Sequence, residues 1–77
     1  MQINLIIFGR LTDITGKSTL SLTGISDTNA LVKQIHAQYP LLAVNKYVIA
    51  VDKKIISGNT ILNENSTVAL MPPFSGG

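Results

Sequence analysis

The sequence predicts an α+β fold: a mixed sheet whose first and last strands run parallel, with one main helix packed on one face. Three observations predict it. Apolar residues alternate at the start of the chain, in residues 3–8, and again near its close, in 67–71, while the one long stretch of helical period, 27–39, lies between them. Consecutive strands usually pair with each other, so the last strand needs a partner; placing it parallel to the first, under a crossing helix, is the economical closure.

Each element has its own warrant. Ile3, Leu5 and Ile7 share one face of the opening strand, and Asn4, Ile6 and Phe8 share the other. A turn-rich stretch follows from Gly9 to Gly16, and then residues 18–22, where Leu20 and Leu22 alternate with hydroxyl side chains as in a half-buried strand. In 27–39, Leu31, Val32, Ile35 and Tyr39 fall at helical spacing while Lys33, Gln34 and Gln38 face away. Thr28 is read as the N-cap, and Pro40 as the stop. Residues 47–51 form a β-branched strand, Asp52-Lys53 a two-residue turn and 54–56 the return. Gly58-Asn59 and 63–66 are turn material before the last strand and Pro72-Pro73. The order β-β-α-β-β-β with paired termini is the β-grasp, or ubiquitin-like, layout.

The 77 residues suit one domain, read as 1–77 with 72–77 as an extended tail. Such a chain buries only about 60% of its unfolded surface. With 45% apolar and 13% charged residues, against a usual charged share of roughly 25%, charge-driven disorder is excluded. The absence of cysteine removes disulfides, zinc ribbons and thiol nucleophiles. No apolar run approaches the ~18 residues of a membrane span, and the start lacks the basic lead of a signal peptide, so the expectation is a cytoplasmic protein without a membrane partner. The net charge of +2 is scattered, with Lys53-Lys54 the only adjacent basic pair, which argues against nucleic acid as a partner.

Side-chain chemistry is sparse. His36 has no carboxylate three or four residues away and is read as a solvated or partly packed helix residue; no metal site is expected. Asp13, Asp27, Asp52 and Glu64 read as turn formers and caps. Ser75 stands beside glycine, but a nucleophile elbow needs a strand-to-helix turn, and only two residues follow. What remains is the closing run Met71-Pro72-Pro73-Phe74-Ser75-Gly76-Gly77. Two prolines hold a tail extended, and two residues without side chains can thread a narrow channel. Gly77 then presents a carboxylate on a thin stalk, inert until a partner converts it to an acyl adenylate with ATP.

The strand ending in Phe8 with Gly9-Arg10-Leu11-Thr12-Asp13-Ile14-Thr15-Gly16, the start of the helix at Asp27-Thr28-Asn29-Ala30-Leu31, and the closing run 71–77 resemble the small, sulfur-carrier subunit of molybdopterin synthase. The resemblance spans the whole chain, and the proline-proline to glycine-glycine ending is its most specific part. It implies a carrier with no active site of its own and no bound cofactor. Gly77 would be adenylated by an E1-like adenylyltransferase, which uses the ATP, and converted to a thiocarboxylate. The tail, Pro72 to Gly76, would then insert into the large catalytic subunit of the synthase, in a heterotetramer. There the thiocarboxylate donates sulfur to cyclic pyranopterin monophosphate, and two donations build the dithiolene of molybdopterin. The chain departs from the family's usual pattern at Leu11-Thr12-Asp13, at Leu70-Met71, at Phe74 and at 63–66, none of which touches the chemistry of Gly77.

Rival readings follow from the same tail: a sulfur carrier for thiamine synthesis, a ubiquitin-like modifier joined to target lysines, or an interaction domain whose tail is idle. The thiamine carriers are typically shorter and lack the 9–16 loop. If the terminal strands are parallel, Ile6, Phe8, Ala69 and Met71 share the face away from the helix, and this apolar patch is the expected partner interface.

Overall fold

The structure is a computed structural model, and it describes residues 2–73. The chain runs β1 (Gln2–Ile7), α1 (Leu11–Thr15), β2 (Thr19–Thr23), α2 (Thr28–Gln38), α3 (Pro40–Ala43), β3 (Val48–Val51), β4 (Lys54–Ile55) and β5 (Thr67–Met71). The five strands form one sheet in the order β2-β1-β5-β3-β4. β1 pairs antiparallel with β2 and parallel with β5, in the register Leu5 with Val68 and Ile6 with Ala69. The β-grasp arrangement expected from the sequence is the one observed.

Alternation in the strands sets the two faces. Ile3, Leu5, Ile7, Val68 and Leu70 are buried in one cluster with Leu31 and Ile35 of α2, so the helix covers this side of the sheet. Leu11 from α1, Leu42 from α3, Ile25 and Leu62 join the same cluster. Removing such a side chain, for example Leu70→Ala, deletes contacts that close packing cannot restore, at a cost of about 2–5 kcal/mol.

The structure corrects two local expectations and adds to a third. The stretch 9–16, read as turns, contains α1, which ends at Gly16 in the left-handed conformation with its N–H donating to the Thr12 carbonyl. The helix is only five residues long, too short to leave a periodic apolar pattern. The N-cap of α2 is Asp27, whose carboxylate accepts the Ala30 N–H at 2.9 Å. Thr28 is buried, and its hydroxyl instead accepts the Thr60 N–H at 2.8 Å. Pro40 does follow the end of α2, but it also opens α3 at a first-turn position, where its missing N–H costs nothing.

The turn between β3 and β4 carries positive φ at both Asp52 and Lys53, 48° and 74°, as a two-residue hairpin requires. Asp52 also ties the hairpin to β5: its N–H donates to the Thr67 carbonyl, and its carboxylate accepts the Thr67 N–H at 3.0 Å.

Candidate functional site

β5 delivers the chain to the C-terminal end of the sheet, between β1 and β3. The parallel ladder extends one step past β1, where the Phe8 N–H donates to the Leu70 carbonyl at 3.0 Å. There Gly9 turns the chain away with φ of +61°, and Pro72 lies against it, so that a Cβ on Gly9 would stand 2.8 Å from Pro72 Cγ. Pro72 is half-buried and Pro73 exposed. The tail therefore starts from a fixed root. Phe74, Ser75, Gly76 and Gly77, expected to carry the insertion and the acyl chemistry, lie outside the described residues.

On the face away from α2, the sheet brings together the four residues singled out from the sequence. Ile6 and Ala69 are cross-strand partners, and Met71 continues the row to pair with Val48. Phe8 is 46% exposed beside them. A shallow hollow of about 340 Å³ is lined by Phe8, Val48, Ile55, Met71 and Pro72 together with Gly9. Val48 and Ile55 belong to this patch but were not singled out. Period-two alternation in 48–51 puts Val48 and Ala50 on one face, yet only the pairing of β3 with β5 shows that it is this face.

The other side of the root carries two cations. A groove of about 390 Å³ lies between Arg10 and Lys46, walled by Pro72 and Pro73 and lined also by Leu11 and Asn45. Arg10 and Lys46 are exposed and distant in sequence. No spacing rule links them, so reading the sequence missed the pair.

His36 packs where a partly buried helix residue should. Its Nε2 shares a hydrogen bond of 2.6 Å with the Tyr47 hydroxyl, and the rings meet edge to face. Burial pushes the Tyr47 hydroxyl above its ordinary pKa. Among the described residues no group of three or more His, Cys, Asp or Glu could hold a metal ion. None of their helices is long and apolar enough to cross a membrane.

A five-stranded mixed sheet gripping one main helix, with the chain leaving beside its parallel central strands, defines a ubiquitin-like β-grasp protein. Solved structures share it along almost the whole chain. Small archaeal modifier protein 1 from Methanosarcina acetivorans superimposes with a TM-score of 0.83 at 19% identity, covering 99% of this chain and 96% of its own. The same-named protein from Haloferax volcanii gives 0.81 at 17%, covering 100% of both chains. A chain from the protein–protein complex of subunits 1 and 2 of molybdopterin-converting factor from Helicobacter pylori gives 0.79 at 22%, again covering 100% of both. No curated protein is significantly similar in sequence. The ThiS family model matches residues 5–77, and the chain belongs to that family.

Proposed function

We propose that this protein is the sulfur carrier of a molybdopterin synthase. The observation that carries the reading is the anchored root: Pro72 is held against Gly9 at the end of a central strand, beside an apolar hollow. In this reading the Gly77 carboxylate attacks the α-phosphorus of ATP on an E1-like adenylyltransferase and releases pyrophosphate. Hydrosulfide, or its equivalent delivered by a sulfur donor, then attacks the acyl carbon, AMP leaves, and a thiocarboxylate remains. The tail carries that sulfur into the large synthase subunit for transfer to cyclic pyranopterin monophosphate. Ile6, Phe8, Ala69 and Met71 dock on the partner while the tail is inserted.

Support for the molybdopterin type over the thiamine type comes from α1, which fills the connection that thiamine carriers shorten. The Helicobacter pylori neighbour was solved in a complex of two subunits, which supports a partner subunit here. A second reading, a protein modifier, draws on the two archaeal modifier proteins with the same fold. Both begin with the same adenylate. Intact mass after co-expression with E1-like partners separates them: replacement of one terminal oxygen by sulfur supports the carrier, whereas a ladder of lysine-linked conjugates in place of that product supports the modifier.

A further inference from the structure

We propose that the groove between Arg10 and Lys46 is a docking site for an acidic protein surface, the carboxylate-bearing rim of the channel through which the adenylating partner receives the tail. The inference rests on the carrier reading above and adds to it the chemistry of the contact at the tail root. Arg10 follows β1 at the entry to α1, and Lys46 follows α3. The fold sets both beside Pro72 and Pro73, in a groove with no carboxylate among the described residues of its lining. Among the described residues neither cation is ion-paired.

The charge distribution points the same way. Asp27 caps the start of α2, Glu64 accepts from the Gln2 N–H at the start of β1, and Asp52 is bonded to Thr67 at the start of β5. Three of the four side-chain carboxylates thus lie at the pole opposite the tail, where Lys53 and Lys54 partly offset them. Among side chains, the tail pole holds Arg10, Lys17 and Lys46 against Asp13, and the tail that leaves it ends in the Gly77 carboxylate. A positive pole is steered toward a negative partner surface, and clustered charge of this kind raises association rates by about 10- to 1,000-fold at low salt.

Other anions fit less well. When the tail is extended, Gly77 lies up to about 14 Å beyond Pro73, so an adenylate phosphate there is out of reach of Arg10 and Lys46. Two cations are also few beside the roughly 6–10 phosphate contacts of a nucleic-acid binder. The adenylating enzyme is the partner common to the molybdopterin, thiamine and modifier readings, so what the proposal takes from the carrier reading is its adenylation step.

The test is the rate of association with the purified E1-like enzyme of the same organism, followed by stopped flow in about 0.05 M and about 0.5 M NaCl, a range over which screening shortens severalfold. Arg10→Glu with Lys46→Glu reverses the groove, and Lys53→Glu with Lys54→Glu makes the same change of net charge at the far pole. The groove variant should associate at least about tenfold more slowly at low salt, with the gap closing at high salt, and the far-pole variant should stay within about twofold of wild type. All of these side chains are exposed, so unchanged melting is expected and confirms an intact fold. A groove variant that associates like wild type, or equal slowing of both variants, overturns the proposal while leaving the carrier reading in place. A wild-type chain that the enzyme neither binds nor adenylates with ATP overturns the carrier reading and this proposal together.

Discussion

Gly9 and Pro72 are in contact at the point where the chain leaves the sheet, and the contact leaves no room for a side chain on Gly9. The same glycine holds a φ of +61°, in the left-handed region. Gly9→Ala therefore meets two obstacles: a backbone penalty of roughly 1–2 kcal/mol and a clash that must push the proline ring aside. Urea unfolding should show a loss of at least about 1 kcal/mol. The displaced root should also lower thiocarboxylate yield, read by intact mass, by more than the unfolded fraction explains.

The apolar face should matter for binding and little for folding. Phe8 is half-exposed, so Phe8→Glu should change stability by no more than about 0.5 kcal/mol. It should weaken affinity for the large synthase subunit or the E1-like enzyme, as measured by calorimetry. Unchanged affinity for both would remove the face from the interface.

Two tail variants separate reach from width. Deleting Gly77 retracts the terminal carboxylate by about 3.5 Å, and a misplacement of about 1 Å can cost a hundredfold in rate. Gly76→Val keeps the length but adds a β-branched side chain. Both variants should melt like the parent and fail to yield molybdopterin. Wild-type turnover by the Gly77 deletion would mean that the carboxylate carries no chemistry.

Asp27 holds two segments at once. It caps α2 through Ala30 and lies 3.4 Å from the Asn59 amide, while the Asn59 carbonyl accepts the Asn29 N–H at 2.8 Å. Asp27→Ala should cost about 1–2 kcal/mol in urea unfolding, because the first turn of α2 loses its acceptor. Thr28→Ser, which keeps the buried hydroxyl for Thr60, should cost less.

Tyr47 predicts an alkaline limit. Burial raises its folded-state pKa above the ordinary 10.0, so the unfolded chain loses this proton first as pH rises. Its contribution is fully present below pH 10.0 and is lost as pH climbs through the higher folded value. Melting temperature measured from pH 8 to 11.5 should fall at the alkaline end, and Tyr47→Phe should flatten that fall.

Period and punctuation determined much of this protein directly. The alternation of Ile3, Leu5 and Ile7, the helical spacing of Leu31 and Ile35, and the turn at Asp52-Lys53 are local patterns with local causes, so strands, main helix and hairpin were legible. Once the terminal strands were placed in parallel, the grouping of Ile6 and Phe8 with Ala69 and Met71 followed from the pleat. The short helices α1 and α3 were not legible, because a single turn leaves no period and is stabilised by the core contacts of Leu11 and Leu42. The choice of Asp27 over Thr28 as the cap was also a tertiary decision: the Thr60 N–H claims the Thr28 hydroxyl. Only the folded chain could bring Val48 and Ile55 to the apolar hollow, Pro72 onto Gly9, and Arg10 beside Lys46. These pairs are remote in sequence, and proximity between remote residues is set by strand order and register, which no local pattern encodes.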